Sequence, residues 1–174
     1  LYPNDAKANY LFAFVNVHHG VNAPEVAAKH FKKAIAINPD YATAHNELAY
    51  FYMGIGDYKN AKKIAKEYIK LIPNSVNPLD TYAEIFMRNG EYHKSIELYK
   101  DVLELDTTYP WAIMGISANL NFLNRHQEAR EVLNKIDTDR LSDYEYRHTW
   151  RAKVTSFIDE GNLGGAIEVL EDQK

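Results

Sequence analysis

The sequence predicts an all-α fold built from stacked pairs of helices, and three repeating features indicate it. Small residues recur every 34 positions, residues that can close a helix recur at nearly the same step, and prolines follow the second helix of successive pairs. A period of roughly 20 to 50 residues is typical of repeat architectures, in which each helix pair packs against its neighbour. The chain of 174 residues accommodates about five such units.

The small residues define one face of a helix in each unit, because a small side chain lets two helices approach closely. They are Ala27, Ala61, Ser95, Ala129 and Ala166, spaced by 34 except for the last step of 37. Apolar residues follow four positions later, at Phe31, Ala65, Tyr99, Leu133 and Leu170. Residues four apart share a helical face, so these positions predict the packing side of the second helix in each pair.

Turn signals separate the helices at a similar step. The residues expected to close the first helix of each pair are Gly20, Gly56, Gly90, Asn124 and Gly161. Glycine and asparagine accept the left-handed conformation that ends many helices. Pro39 and Pro73 come two residues after Ile37 and Leu71, where proline prevents the helix from continuing.

These signals together resemble the tetratricopeptide repeat, and the resemblance covers nearly the whole chain. The segments "YMGIGDYKNAKKIAKEYIKLIP" (52–73) and "FMRNGEYHKSIELYKDVLELD" (86–106) align at an offset of 34, with aromatic, glycine and tyrosine in register. The resemblance implies an alpha-alpha superhelix, or solenoid, whose concave wall is made by the first helix of each pair. The second repeat departs from the family pattern, because Ala65 and Tyr68 exchange the usual large and small residues.

The repeats are expected at approximately 6–39, 40–73, 74–109, 110–143 and 144–174, within a single domain of residues 1–174. The fourth lacks its glycine and its closing proline, which leaves its boundaries least defined. The fifth has no helix after it to cap Ala166, Ile167, Val169 and Leu170. We therefore expect either that the parent chain continues or that this end is exposed and adhesive.

Composition limits the partners and the compartment. With 20 basic and 24 acidic residues the net charge is −4, which predicts no general attraction to nucleic acid or to an anionic membrane. No apolar run approaches the ~20 residues that span a bilayer, so membrane insertion is not expected. The chain has no cysteine and begins at Leu1, which looks truncated. The cytoplasm is slightly favoured, while the periplasm or secretion stays open.

No motif predicts catalysis, a cofactor or a metal site. His18 and His19 are adjacent, and neighbours on a helix point about 100° apart, which suits a surface pair better than one metal site. "GISAN" at 115–119 lacks the second glycine of a nucleophile elbow. "GNLGG" at 161–165 lies in a helix-to-helix turn without the lysine of a phosphate loop. We therefore expect a non-catalytic protein.

The resemblance implies a binding site on the concave wall, formed by first-helix positions that packing does not use. Read onto this chain, the candidate partner-binding residues are Tyr10, Phe14, Asn46, Glu47, Tyr50, Asp80, Glu84, Arg88, Trp111, Met114 and Phe122. Aromatic and methionine side chains are typical interface anchors. Three of the aromatic residues, Tyr10, Phe14 and Phe122, suit gap-filling between repeats equally well. Trp111 follows Pro110 at a helix start, which favours a partner-facing role.

The wall is acidic in its middle, at Glu47, Asp80 and Glu84, although a solvated patch would have the same composition. Tetratricopeptide domains that clamp the carboxylate end of chaperones use basic residues and asparagine here. This chain is therefore predicted to bind a protein or peptide that is basic or carries apolar anchors. Two alternatives stay open: self-association through the uncapped ends, and service as the targeting region of a larger enzyme. RNA binding is disfavoured, because no basic stripe is expected.

Overall fold

The fold was analysed in a computed structural model, which describes residues 3–19 and 24–171. These residues form ten α-helices and one 3₁₀ turn at Thr138–Arg140. The helices are α1 (Ala6–His19), α2 (Pro24–Ile37), α3 (Ala42–Gly54), α4 (Tyr58–Leu71), α5 (Val76–Arg88), α6 (Tyr92–Leu105), α7 (Pro110–Phe122), α8 (His126–Leu133), α9 (Asp143–Asp159) and α10 (Leu163–Glu171). None of the helices in the described ranges has the length and apolar character needed to cross a bilayer.

The helix ends follow the turn signals in the sequence. Gly56, Gly90 and Gly161 have φ angles of 78°, 79° and 79°, and Asn124 has 58°, so all four adopt the left-handed conformation. Helix starts use local caps as well: the Asn60 backbone N–H donates to Asp57 Oδ1 at 3.1 Å at the start of α4. The expected turn at Gly20 lies outside the described residues.

The chain divides into two compact units, each of which contains several helices. The first, called unit 1, is Leu1–Asn89 and contains α1 to α5. Helices α1 and α2 pack as one pair and α3 and α4 as the next. The small residues Ala27 and Ala61 are buried, as is Phe31, one turn after Ala27. In α4 the exchanged pair is also buried, with Ala65 at 0% and Tyr68 at 4% exposure. The 34-residue face is therefore the packing face of this unit.

The second, called unit 2, is Gly90–Lys174 and contains α6 to α10. Its small residues Ser95, Ala129 and Ala166 are buried. Helix α7 is buried at nine of its 13 residues, because α6, α8 and α9 all pack against it. Ile113, Leu133 and Ile136 form the centre of an apolar cluster in this unit.

The fourth helix pair differs from the prediction of two helices of about 13 residues. Helix α8 has eight residues, and α9, which follows it, has 17. After α8 the chain turns so that Ile136 returns to the core, and the carboxylate of Asp137 then accepts a hydrogen bond from the Asp139 backbone N–H at 3.3 Å. Helix α9 begins with a full capping box between Ser142 and Glu145. Local caps at Asp137 and Ser142 therefore mark these boundaries, where the closing proline is missing.

Candidate protein-binding surface

The first helix of unit 1 contributes an aromatic group centred on Tyr10. The Tyr10 ring lies 5.9 Å from Phe14, 6.0 Å from Phe31 and 5.1 Å from Tyr41, measured between centroids. Burial raises the pKa of the Tyr10 hydroxyl, and the nearby Glu47 carboxylate adds to this effect. Tyr10 and Phe14 are half-buried against the core, so they serve packing while keeping part of each ring accessible.

A polar group joins α3 and α5 within the same unit. The Tyr50 hydroxyl donates to Glu84 Oε2 at 3.2 Å, and the Thr81 hydroxyl donates to Asn46 Oδ1 at 2.9 Å. Both contacts link residues about one repeat apart, so equivalent turns of α3 and α5 lie side by side. Asn46, Tyr50 and Glu84 were predicted from the sequence to share one wall, and the structure brings them together.

Asp80 and Glu84 form a like-charged pair at the centre of this group, one helical turn apart on α5. Burial, followed by the charge of Glu84, raises the pKa of the Asp80 carboxyl to about 7. Burial and the two carboxylates also raise the pKa of Tyr50. Arg88 Nη2 lies 3.5 Å from Glu84 Oε1, but this arginine side chain is 60% exposed. Within the described ranges the Asp80 carboxyl makes no hydrogen bond or ion pair, and the ion pair of Arg88 is made with Glu84.

In unit 2, Trp111 lies in a cluster of three rings. Its centroid is 5.7 Å from Tyr144 and 5.3 Å from His148, and these last two are 4.4 Å apart. Trp111 also packs against the apolar core, so only part of its ring faces solvent. Tyr144 is 58% exposed and was not among the predicted residues. Its position four residues before His148 on α9 is the signal that could have identified it.

The two remaining candidates of unit 2 occupy different environments. Met114 is only 9% exposed, and its Sδ accepts a hydrogen bond from the Thr149 hydroxyl at 3.6 Å. Phe122 is 59% exposed and stacks on Tyr92 with a centroid distance of 5.0 Å and an interplanar angle of 13°. Met114 therefore supports the core in this structure, whereas Phe122 presents an accessible ring.

Sequence reasoning missed a basic surface on unit 1. Lys59, Lys63, Lys66 and Lys70 are exposed on α4 at a spacing of three to four residues, which places them on one face. The expectation that the chain has no basic stripe is wrong for this helix. The net charge of −4 concealed it, because acidic residues elsewhere outweigh the lysines.

Among the described residues, no group of three or more metal-ligating side chains comes together.

Sequence comparison identifies repeats in the first part of the chain. Two models of the tetratricopeptide repeat match, one at residues 21–79 and the other at residues 79–109. Together they span residues 21–109, just over half of the 174-residue chain. Proteins of this family generally mediate protein–protein interaction as non-catalytic scaffolds.

Solved structures show the same architecture. PilW, a widely conserved type IV pilus biogenesis factor, matches with a TM-score of 0.76 and 16% identity over 97% of this chain and 76% of that one. The thermophilic TPR protein TTC0263 of Thermus thermophilus gives 0.73 and 14% identity, over 94% and 87% of the two chains. MamA of Desulfovibrio magneticus RS-1 gives 0.69 and 15%, over 95% and 91%.

At these identities the structural likeness establishes the fold alone. It confirms the fold class predicted from the sequence, an all-α superhelix of tetratricopeptide-like repeats. The two family models match the repeat sequence itself, so they identify the family, which a structural likeness at this identity cannot do. The chain belongs to the tetratricopeptide repeat family.

Proposed function

We propose that this protein is a non-catalytic scaffold that binds a peptide or protein segment along the concave face formed by the first helices of its repeats. In unit 1 the proposed contact surface comprises the half-buried rings of Tyr10 and Phe14 and the polar group on α3 and α5. The segment it takes carries at least one lysine or arginine. The organisation of residues 1–174 as one five-repeat domain is part of this proposal.

The observation that carries the proposal is the state of Asp80 and Glu84. Two carboxyl groups share a half-buried position, the Tyr50 hydroxyl is already committed to Glu84, and Asp80 has no partner among the described residues. A like-charged pair of this kind is unfavourable on its own, because burial penalises the charge of Asp80 and the carboxylate of Glu84 repels it. A lysine or arginine from a partner would remove both penalties, which supports a basic ligand.

A peptide-display selection tests this proposal. Wild type is expected to enrich sequences with lysine or arginine beside an apolar residue. The double variant Asp80→Asn, Glu84→Gln keeps the shape of the site and one acceptor oxygen in each side chain, and it removes the charge. We expect it to bind the selected peptides at least about tenfold more weakly, which corresponds to roughly 1.4 kcal/mol.

The matched control is Asp101→Asn, Glu104→Gln, which removes two exposed acids from α6 in unit 2. It should bind the selected peptides as wild type does. Equal weakening by both double variants would show a general charge effect and contradict the site. Selection of peptides without any cationic residue would contradict the predicted ligand chemistry.

Self-association is a second candidate, supported by exposed apolar residues on two helices. On α10, Leu163, Ile167 and Leu170 are 65%, 52% and 46% exposed, and their spacing places them on one face. On α1, Leu11 and Val15 are similarly exposed and lie one turn apart. Exposed apolar residues in a row along a helix are typical of interaction sites. A second copy of the chain is the simplest partner that could cover these apolar residues. The test is whether the molecular mass of the protein in solution rises with its concentration.

A further inference from the structure

The second helices of unit 1 carry a concentration of positive charge that the concave-face proposal does not use. Helices α2 and α4 together contain two glutamates, Glu25 and Glu67. Against these stand the lysines Lys29, Lys32, Lys33, Lys59, Lys62, Lys63, Lys66 and Lys70. In a chain with a net charge of −4, this surface has the opposite sign to the molecule as a whole.

The lysines of α4 form an ordered stripe rather than a scatter. Lys59, Lys63, Lys66 and Lys70 are all exposed and lie opposite the buried residues Ala61, Ala65 and Tyr68. At 1.5 Å per residue, the stripe runs for roughly 16 Å along the helix. Within the described ranges, none of these four ammonium groups lies within ion-pair distance of a carboxylate.

The positive charge recurs on α2 at the repeat spacing. Lys29 and Lys32 precede Lys63 and Lys66 by 34 residues, so they occupy equivalent positions on equivalent helices. The two helices also meet electrostatically at Asp57, the cap of α4. Hydrogen bonds from Asn60 lower the pKa of this carboxyl, and both Lys59 and Lys32 add to the effect. Lysines of α2 and α4 therefore lie close enough to act on the same group.

A groove opens beside the α2 lysines, between α2 and the end of α3. Its volume is about 420 Å³, and apolar or aromatic side chains of Ala28, Phe51, Tyr52 and Ile55 line it together with Lys29, Lys32 and Glu25. Lys32 Nζ lies 5.4 Å from the centre of the Tyr52 ring. Ile55 is 54% exposed, so this groove offers apolar surface that an incoming side chain could cover.

The groove and the lysines together favour one class of anionic partner, an acidic protein segment, over nucleic acid and lipid headgroups. Every cation on α2 and α4 is lysine, whereas planar bidentate recognition of phosphate favours arginine. Phe51 and Tyr52 are 9% and 7% exposed, so neither offers a stacking platform for a base. A lipid headgroup surface would meet the lysine stripe but would leave the groove empty. A protein segment with carboxylates and one apolar side chain matches both features.

We propose that α2 and α4 of unit 1 form a second docking surface, separate from the concave face, which takes an acidic protein segment with its apolar anchor in the groove. The carboxylates lie along the lysines, and the anchor covers Ile55. Because the charges are exposed, the interaction is salt-sensitive and each pair contributes modestly. Affinity therefore depends on several lysines and the anchor together.

Binding of a defined probe tests the proposal. The probe is a fluorescein-labelled peptide that repeats the unit Glu-Glu-Leu, measured by fluorescence anisotropy at low and physiological salt. Two comparison peptides replace every glutamate by glutamine or every leucine by serine. The triple variant Lys63→Gln, Lys66→Gln, Lys70→Gln should bind the first peptide about tenfold more weakly than wild type. The control variant Lys7→Gln, Lys100→Gln, Lys135→Gln removes three exposed lysines elsewhere and should bind within about twofold of wild type.

The groove is tested by Ile55→Ser, which changes an exposed side chain and should leave the fold intact. This variant should weaken binding of the leucine peptide and leave the serine peptide unaffected. Equal loss in the two triple variants, or equal binding of the glutamine peptide, would overturn the proposal. So would an Ile55→Ser variant that binds both peptides as wild type does. Preferential capture of phosphatidylserine vesicles or duplex DNA over the peptide, at matched anionic charge, would assign the stripe to those surfaces instead.

Discussion

The residues that close the first helices show how a single side chain sets the chain path. Gly90 has a φ of +79°, and a Cβ added there would meet nothing within 4 Å. Any cost of substitution therefore comes from backbone conformation alone. Gly54, by contrast, lies at the end of α3, with the same open surroundings and no positive φ. The two glycines form a matched pair in which only the backbone differs.

We predict opposite effects for the same substitution at these two sites. Gly90→Ala should lower the free energy of unfolding by about 1–2 kcal/mol, because an L-residue in the left-handed region is strained. Gly54→Ala should raise it by about 0.4–1 kcal/mol, because alanine restricts the unfolded chain and suits a helix. Urea denaturation followed by circular dichroism measures both. Equal effects of the two substitutions would contradict the assigned backbone conformations.

Asp80 predicts a pH dependence of stability whose sign can be worked out. The ordinary pKa of the carboxyl is 3.8, and in the folded protein it is about 7 because of burial and Glu84. Between these values the folded state keeps a proton that the unfolded state has released. The contribution of Asp80 to the free energy of unfolding therefore falls as the pH rises from about 4 to about 7, and it is constant at higher pH.

The variant Asp80→Asn stays neutral and should not show this fall. Above pH 7 it should be more stable than wild type by about 1–4 kcal/mol, while near pH 4 the two should converge. Denaturation profiles across this pH range provide the measurement. Asp101→Asn, at an exposed position of α6, is the control and should follow wild type. Parallel profiles for wild type and Asp80→Asn would show that the Asp80 carboxyl is not perturbed.

At the scale of elements, most helix boundaries could be predicted because local signals set them. Gly56, Gly90, Gly161 and Asn124 adopt the left-handed conformation expected from the sequence. The repeat period places Ile136 at the packing position that Ala34, Tyr68 and Val102 occupy, and all four are buried. The short α8 was not predicted, because Ile136 reaches the core from the turn after Leu133 and not from the helix itself.

The candidate site was less predictable than the helices, because a residue's place on a helical face does not give its burial. Met114 and Trp111 both belong to α7, but Met114 is covered by Thr149 and its neighbours, whereas Trp111 reaches a partly open ring cluster. The lysine stripe was missed for another reason. Whole-chain charge averages over surfaces of opposite sign, and only the separation of first and second helices makes the stripe visible.

The packing of α6 against α7 depends on a glycine for space rather than for conformation. A Cβ at Gly115 would overlap the ring of Tyr99, which is itself 3% exposed. We predict that Gly115→Ala lowers the free energy of unfolding by about 1–3 kcal/mol, because the two helices must separate or the ring must move. Thermal or urea unfolding measures this effect.

Gly164→Ala is the control, because its Cβ would lie 3.8 Å from Asn162 Oδ1, at ordinary contact distance. It should be neutral or slightly stabilising. Combining Gly115→Ala with Tyr99→Leu should cost less than the sum of the two single changes, since the smaller side chain frees space for the added methyl group. Additive costs would mean that the ring is not the obstacle.

At the scale of the whole molecule, burial is unevenly distributed along the chain. Most residues of helix α7 are buried. Among the described residues of α10, by contrast, a single one is buried, Ala166. The Trp150 indole N–H donates to the Val169 carbonyl at 3.1 Å and holds α10 against α9. The side of α10 next to Ala166, with Leu163 and Ile167, is exposed. A helix attached by so little buried surface gains stability if another surface covers it.

Self-association through this face makes a concentration-dependent prediction. Molecular mass by sedimentation equilibrium should rise above that of a single 20.0 kDa chain as the protein is concentrated. Leu163→Glu with Ile167→Glu should keep the chain monomeric over the same range, because two carboxylates would be buried without partners at the interface. The control Asn134→Glu with Thr155→Glu adds the same charge at exposed polar positions and should associate as wild type does. A wild-type mass that is constant with concentration would exclude this route and leave α10 as an exposed surface of a monomeric scaffold.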